Sequence, residues 1–327
     1  MNKLCAARIS NFKPSSKAFN LIFAFLILFQ SNSYASIVMI GQKVKAANGT
    51  ECSAFLFKEE TATPKNLVLQ MRGSGIYSNA NRKAIRSELN SLVDQGKIAV
   101  VVFEKPGLRA DPISLDRGAI MDFEIYSSLT PKVLMNCGEA SLIWASDLLK
   151  SQNIFIRGHS EGASVSIDIA SELVAKKSTL LKSLKSLFLS GIPMNFKDGL
   201  EVQFKTGLID KTKFWKAIET CDNKYLLGGV EVPCGYIKEI FSSITTQKVL
   251  SNLSLKSPTF KFNIYHGNFD INTPVDLVLN FEKENEKRSN KGQSFLNWEG
   301  RYYAADHSLN MTAMKDMERD LAKELGE

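Results

Sequence analysis

Residues 154–164 read IFIRGHSEGAS, and the interpretation of the whole chain depends on this stretch. The apolar residues at its start predict a buried strand, and the amphipathic run that follows Ser160 predicts a helix. Between the two lies GHSEG at 158–162, a G-x-S-x-G pattern. Such a turn is either a plain strand-to-helix connection with a polar cap or a device that raises Ser160 as a nucleophile. Residues elsewhere in the chain distinguish these interpretations.

The first 35 residues match the three-part pattern of a secretory signal peptide. A basic stretch without acidic residues comes first, an apolar run at 21–29 follows, and small residues precede a cleavage point after Ala35. A membrane-spanning helix needs about 20 apolar residues, so the pattern favours cleavage over an uncleaved membrane anchor. We therefore expect an exported protein, periplasmic or secreted, with no stable membrane insertion after cleavage.

The basicity of the full sequence comes largely from this leader. The sequence has 41 basic and 34 acidic residues and a formal charge of +7, whereas residues 36–327 hold 37 basic residues and carry +3. The charge is therefore no argument for nucleic acid or anionic lipid as a partner. The remaining 292 residues suffice for one large domain with a sizeable insertion.

Four cysteines follow the leader, an even number that suits an oxidising compartment. They allow three pairings. We favour Cys221 with Cys234, which closes a short loop and leaves Cys52 with Cys137. With only three histidines and no C-x-x-C motif, the sequence predicts no metal site.

Strands and helices alternate along the chain, which predicts an α/β fold with a mostly parallel sheet and helices on both faces. Asn48-Gly49 between two strand-like runs predicts a hairpin near the start. Buried strands are predicted at 67–71, 98–103, 154–156, 187–190, 262–266 and 294–298. Helices are predicted at 82–95, 139–150 and 309–325, and another follows Ser160.

One connection is longer than this alternation requires. Between Pro193 and Phe262 lie 68 residues, although a strand-to-strand crossover usually needs only one helix. The segment contains many aromatic residues and helical runs at about 211–227 and 236–253. We interpret residues 194–261 as a helical cap over the carboxyl edge of the sheet; the alternative is a surface insertion that covers nothing.

Ser160 needs a base, because a serine hydroxyl is a weak nucleophile until its proton is taken. His159 lies in the turn itself, and His266 ends a predicted strand. His307 lies in a loop between the strand predicted at 294–298 and the last helix. It is therefore the histidine best placed to reach Ser160, and an unrelated surface histidine is the alternative.

The base in turn needs a carboxylate that orients it. Asp270 stands in the stretch FNIYHGNFDINTPV at 262–275, in a loop after a predicted strand. Its alternative role is to cap the helix that Thr273-Pro274 opens. Asp306, adjacent to His307, is the rival partner, although side chains of neighbouring loop residues seldom converge.

An oxyanion intermediate needs preorganised donors. The backbone N–H of Glu161, directly after Ser160, is one candidate. The second candidate is the backbone N–H of Ser74 in the RGSG stretch at 72–75, which follows the strand at 67–71. A glycine-rich turn without a special role is the alternative, while the stretch lacks the glycine and lysine pattern of a phosphate-binding loop.

Ser160, Asp270 and His307 follow one another in the order Ser, Asp, His, each after a predicted strand. In this respect the chain from about residue 67 to its end resembles the α/β-hydrolase superfamily. The H-G-x-x-D pattern at 266–270 before Thr273-Pro274 is most similar to dienelactone hydrolase-like and prolyl oligopeptidase-like enzymes. The resemblance implies a serine hydrolase that requires no cofactor, with a cap in the long insertion.

The sequence departs from this family at one place in the oxyanion loop. Many members have His-Gly there, whereas this chain has Arg72 before Gly73. Because the family's donor is usually backbone, the change bears on substrate charge more than on hydrolysis. Arg72 is thus a candidate contact for an anionic substrate group. Arg109 is another, in a loop that resembles the family's active-site border, unless it simply pairs with Asp111.

The leading hypothesis is an exported serine hydrolase that cleaves carboxylic esters or small amides of small-molecule substrates through an acyl-enzyme. Ser160 is the nucleophile, His307 the base and Asp270 the carboxylate that orients it. Two alternatives remain. One is a non-catalytic binding protein on the same scaffold, since fold does not imply function, and the other is a peptidase of short peptides.

Overall fold

The structure, a computed structural model, describes residues 36–326 apart from 77, 80–84, 86, 111–118, 221–223, 228–229, 243–244 and 257. The signal peptide predicted at 1–35 lies outside the described residues. In the described part of the chain, no helix is long and apolar enough to cross a bilayer.

Twelve strands, ten α-helices and one 3₁₀-helix (Thr179–Lys182) follow one another along the described residues. The strands are β1 (Ile37–Lys45), β2 (Glu51–Glu59), β3 (Asn66–Met71), β4 (Ile98–Phe103), β5 (Leu108–Ala110), β6 (Ala119–Met121), β7 (Asn153–His159), β8 (Leu184–Ser190), β9 (Lys224–Leu227), β10 (Val230–Pro233), β11 (Lys261–Gly267) and β12 (Asn297–Tyr303). The helices are α1 (Ser87–Asp94), α2 (Phe123–Ser127), α3 (Pro131–Leu149), α4 (Glu161–Ala175), α5 (Phe196–Lys205), α6 (Lys211–Thr220), α7 (Cys234–Ser242), α8 (Thr246–Ser254), α9 (Val275–Asn290) and α10 (Met311–Glu324).

Eight of the strands form one sheet in the order β1-β2-β4-β3-β7-β8-β11-β12. The pairs β1-β2 and β2-β4 are antiparallel, and the five other pairs are parallel. The carboxyl ends of the parallel strands therefore share one edge of the sheet. This edge carries the turn after β7 and the loops after β3, β4, β11 and β12.

Two apolar cores cover the two faces of the sheet. Leu67 and Leu69 of β3 pack in one core with residues of α3 and α4, whereas Val68 packs in the other with residues of α1 and α10. Alternate residues of a strand point to opposite faces, so both faces are buried and β4 is buried at every position. Strands of parallel sheets show such continuous apolar runs. The predicted sheet with helices on both faces is confirmed.

Three predicted boundaries are wrong. The strand predicted at 294–298 is β12, which begins at Asn297. Leu296 precedes the strand because its N–H and C=O are both hydrogen-bonded to the Asn285 side chain of α9. The helix predicted at 211–227 ends at Thr220, and β9 pairs with β10 instead. Helix α3 begins at Pro131, where Thr130 caps it, eight residues before the predicted start.

A disulfide joins Cys52 of β2 to Cys137 of α3, as the sequence predicts. It ties the antiparallel end of the sheet to the long helix that covers one face. Cys234 is also disulfide-bonded, and Cys221, the partner predicted for it, lies outside the described residues.

Replacing both Cys52 and Cys137 with alanine should lower the free energy of unfolding by about 4 kcal/mol, because this disulfide restricts a long loop of the unfolded chain. The two residues are 85 apart in sequence. Urea denaturation at pH 7, with the oxidised wild type as reference, measures the change. An unchanged denaturation midpoint in the double variant would contradict this prediction.

Candidate active site

Ser160 occupies a strained turn between β7 and α4. Its backbone has φ 54° and ψ −124°, a combination that costs a residue with a side chain on the order of 1–3 kcal/mol. The Ser160 N–H donates to Ser190 O of β8 at 2.9 Å, and Ser160 O accepts from Ala163 N at 2.8 Å. The turn is thus held from the neighbouring strand and from the helix that it opens.

The two glycines of the GHSEG pattern allow close backbone contacts on either side of Ser160. A Cβ on Gly158 would lie 2.5 Å from Gly162 O and 2.7 Å from Ala163 Cα. A Cβ on Gly162 would overlap the carbonyl groups of Met71 and Arg72, at the end of β3. The start of α4 therefore packs directly against the end of β3 at Gly162 and against β7 at Gly158, and a side chain at either glycine would prevent the contact made there.

His307 and Asp270 are joined by a hydrogen bond. His307 Nδ1 lies 2.7 Å from Asp270 Oδ2, and since a carboxylate accepts, Nδ1 carries the proton. The Asp270 side chain is fully buried, whereas that of His307 is partly open to the cavity. The Asp306 side chain is exposed and accepts from Ser308 N at 2.9 Å. Asp270, not the rival Asp306, is the carboxylate that contacts His307.

The loops that carry Asp270 and His307 are tied together by their backbones. Asn268 N donates to Tyr303 O at 2.8 Å, and Phe269 N donates to Ala305 O at 3.0 Å. A Cβ on Gly267 would overlap the carbonyl oxygens of Ala305 and Asp306. Glycine at the end of β11 therefore lets the two loops meet.

Donors around Asp270 stabilise its ionised form. Burial alone would raise the pKa of Asp270, but the hydrogen bond and charge of His307 and the donors of Thr273 hold the pKa below its ordinary value. Oδ1 accepts from Asn272 N at 2.9 Å and Thr273 N at 2.8 Å, and Oδ2 also accepts from the Thr273 hydroxyl. Asp270 therefore caps the turn before α9 and contacts His307 at the same time.

His159 and Gly191 border the imidazole of His307. The rings of His159 and His307 have centroids 5.0 Å apart, and His159 Nδ1 lies 3.0 Å from Ser190 Oγ. Gly191 has φ 55°, and a Cβ there would lie 3.0 Å from His307 Cε1, so glycine leaves room for the ring. Ser160 and His307 line the same cavity, and no hydrogen bond joins these two described side chains.

His266 is hydrogen-bonded to the loop that carries Asp270. It is fully buried, and its Nε2–H donates to Thr273 O at 2.7 Å. Burial lowers the pKa of His266, so the ring is neutral at pH 7. Because it does not line the cavity with Ser160, it is not a rival base.

The RGSG loop after β3 lies beside Ser160. A Cβ on Gly73 would lie 3.1 Å from Ser160 Cβ, and Ser74 lines the cavity. The N–H of Glu161 is the first of α4, so no carbonyl of that helix accepts from it. The backbone segments of both predicted donors thus border Ser160.

Ser160 and His307 open into a cavity of about 390 Å³. One side is formed by α4 and the strand ends, and the other by the segment predicted as a cap, including Asn195, Phe196, Lys197, Gln203, Val232, Tyr236, Ile240, Thr245 and Thr246. An aromatic cluster holds this segment together, with ring centroids 4.8 to 6.3 Å apart among Phe196, Phe204, Phe214, Trp215 and Phe241. Residues of the insertion therefore enclose the cavity.

The two arginines selected from the sequence lie in different places. Arg72 lines the cavity and donates to Asn79 Oδ1 at 3.2 Å. Arg109 lies on β5 with an exposed side chain and does not line this cavity. No group of three or more His, Cys, Asp or Glu residues suited to a metal ion occurs within the described ranges.

Three polar residues of the site were not selected as candidate site residues from the sequence. Thr273 contacts both Asp270 and His307, Lys105 contacts Glu161, and Asp168 lines the cavity. Two of them had a signal. Asp168 interrupts the apolar run VSIDIA of α4, and Lys105 follows Glu104 directly after the buried strand β4. A charge in such a position indicates a buried partner or a ligand.

No protein-family model and no curated protein matches the chain, but solved structures do. Est1E from Butyrivibrio proteoclasticus, in a structure with bound ferulic acid, gives a TM-score of 0.58 at 15% identity over 88% of this chain and 100% of that one. An esterase from Pyrococcus furiosus gives 0.56 at 15% identity over 89% and 91%. A prolyl endopeptidase gives 0.54 at 12% identity over 88% and 38%. The protein therefore has the α/β-hydrolase fold that the sequence predicts.

Asp270→Asn should make the protein less stable at pH 7 by about 1–3 kcal/mol, because the charge-assisted hydrogen bonds are lost. The folded pKa of Asp270 lies below its unfolded value. Its contribution is therefore present above about pH 4 and is lost as the pH falls through the folded pKa. Urea denaturation between pH 7 and pH 3 should show a shallower acid loss in this variant than in wild type. The exposed Asp306→Asn is the matched control, and parallel pH profiles for Asp270→Asn and wild type would contradict the assignment.

Proposed function

We propose that this protein is an exported serine hydrolase that cleaves carboxylic esters or small amides through an acyl-enzyme. The observation that carries the proposal is the 2.7 Å hydrogen bond between Asp270 and His307, at a cavity that also contains Ser160 on its strained turn. If Ser160 only capped the helix, an oriented imidazole at the same cavity would have no role. The function therefore rests on three side chains brought together from distant parts of the chain.

In the proposed reaction, Ser160 Oγ attacks the carbonyl carbon while its proton passes to His307 Nε2. Asp270 keeps the proton on Nδ1 and stabilises the imidazolium that forms. The N–H groups of Glu161 and Ser74 donate to the oxyanion. Collapse of the intermediate breaks the bond to the leaving alcohol or amine, which takes the proton from His307. Water then attacks the acyl-enzyme by the same route, releases the acid and returns the proton to Ser160.

Small esters are the proposed substrates. A cavity of about 390 Å³ enclosed by a cap segment suits a small molecule better than a folded polymer. One of the similar structures is Est1E with bound ferulic acid, and another is an esterase. Both support ester chemistry. The prolyl endopeptidase supports cleavage of short peptides as the second candidate, since amides and esters use the same groups.

The proposal of export rests on the leader pattern at 1–35 together with the Cys52–Cys137 disulfide. Disulfides persist in oxidising compartments and are rare in the cytosol. A periplasmic or secreted location is therefore part of the proposal.

A fluorophosphonate probe should label the purified protein at Ser160, because the probe reacts with an activated serine. Mass spectrometry of the labelled peptide identifies the site, and labelling should disappear in Ser160→Ala and His307→Ala. Ser308→Ala, which changes an exposed serine of the same loop as His307, is the control that keeps labelling. A folded wild type that resists the probe would support the non-catalytic binding protein instead.

A further inference from the structure

Asp168 is a carboxylate in the cavity for which the proposed reaction has no role. It lies on the face of α4 that also carries Glu161, Ser164 and Val165, and all of these line the cavity. Eight residues separate Asp168 from Ser160, which corresponds to about 12 Å along a helix axis. Asp168 therefore lies well beyond the reacting groups, where the distal end of a bound substrate would be.

The polar neighbours of Asp168 already have partners. Ser164 Oγ accepts from Thr246 Oγ1 at 3.0 Å, and Tyr236 makes a hydrogen bond to the carboxylate of Glu161. The Asp168 carboxylate itself makes no hydrogen bond or ion pair with any described residue, including Arg157, which lines the same cavity. With no partner among the described residues, its oxygens are available to water or to a ligand in the cavity.

An unpartnered carboxylate in such a place costs free energy. Burial raises the pKa of Asp168 to about 7, and nothing in the described structure offsets this effect. Asp168 is half-buried at the cavity wall, and a carboxyl group with a strongly raised pKa in such a place is a candidate for contact with a ligand. A donor group on the substrate would offset the cost when it binds.

The cost of desolvating a second charge favours a neutral donor over a cation. Taking an ammonium group out of water into a cavity can cost more free energy than its attraction to a carboxylate returns. A hydroxyl group can donate to Asp168 without this penalty. We propose that Asp168 is a specificity-determining residue that accepts a hydrogen bond from a hydroxyl group on the substrate, about 12 Å along the helix from Ser160.

This proposal rests on the proposed hydrolase function, and matched esters test it. The first series has the long chain in the acyl group and consists of p-nitrophenyl octanoate and its ω-hydroxy and ω-amino derivatives. The second series has the long chain in the alcohol group and consists of octyl acetate and its derivatives with the same terminal groups. One of the two series will place its long chain in the cavity. In that series kcat/KM should be about 10- to 100-fold higher for the hydroxyl-terminated ester than for the methyl-terminated ester, as expected for a hydrogen bond to a charged group. Butanoates, which are too short to reach Asp168, should show no such preference.

Asp168→Leu should remove or reverse this preference while the methyl-terminated esters are still cleaved. Asp147→Leu, at an exposed position of α3, is the matched control and should keep it. Equal kcat/KM for hydroxyl and methyl esters in wild type, in both series, would overturn the proposal, as would an unchanged preference in Asp168→Leu. A preference for the ammonium compound would overturn the choice of a neutral donor. Failure to cleave any ester would instead count against the proposed function.

A second, independent observation concerns Lys105, which follows β4. Its Nζ lies 2.6 Å from Glu161 Oε2 and 3.3 Å from Gly73 O. Both side chains of the ion pair are more than nine-tenths buried. One ammonium group thus connects the loop after β3 to the first residue of α4.

Both connections bear on the proposed oxyanion donors. Gly73 O and the N–H of Ser74 belong to the same peptide unit, so a cation on the oxygen polarises the N–H and makes it a stronger donor. Glu161 supplies the other N–H, and Lys105 holds its side chain. We infer that Lys105 is a positioning residue that aligns the two donor segments and polarises the Ser74 amide.

Lys105→Met should lower kcat by about 10- to 100-fold with little change in KM, because an oxyanion donor acts in the transition state. Affinity for a trifluoromethyl ketone, which forms an oxyanion on Ser160, should fall in parallel. This variant also leaves the buried Glu161 carboxylate without its ion-pair partner, which destabilises the fold. Lys105→Met combined with Glu161→Gln removes both charges, so its thermal stability should recover while kcat stays low. Recovery of kcat together with stability would show a merely structural role and overturn the inference.

Discussion

The close contact between the start of α4 and the end of β3 is the constraint on which the site depends. Gly162 has no side chain, so the helix can approach the carbonyl groups of Met71 and Arg72, and Gly158 lets β7 approach the same turn of α4. Ser160 is held between them at a positive φ that it would not adopt in a free chain. The same contact brings the loop after β3 to Ser160, so the candidate nucleophile and one candidate oxyanion donor depend on the same packing.

Three carboxylates lie buried or half-buried at this edge of the sheet, and their surroundings differ. Asp270 accepts hydrogen bonds from Thr273 and His307, which keep it ionised. Glu161 is paired with Lys105. Asp168 lines the cavity without a hydrogen-bond partner among the described residues, and its pKa is raised to about 7. Burial penalises the charged form of each group. Protein partners offset this penalty for Asp270 and Glu161, whereas we propose that a ligand offsets it for Asp168.

Much of the fold could be predicted because its signals are local. The buried strands, the turn at Ser160 and the helix after it are encoded by residues that are neighbours in sequence. The errors occurred where packing overrode the local pattern. Phe295 and Leu296 are apolar and suggested a strand, yet Leu296 is held by Asn285 of α9 and β12 begins after it. Residues 224–227 look helical, but they pair with β10.

The sequence by itself determined the buried strands of the sheet and most of the helices, the turn at Ser160 and the three residues proposed for catalysis, because each follows from a pattern of adjacent residues or from the scarcity of histidine. The tertiary structure decided which carboxylate contacts His307, that Lys105 reaches Glu161, and that Asp168 faces the cavity. Lys105 and Glu161 are 56 residues apart, and Asp270 and His307 are 37 apart. Contacts over such separations depend on the spatial order of the strands, and no pattern of neighbouring residues specifies that order.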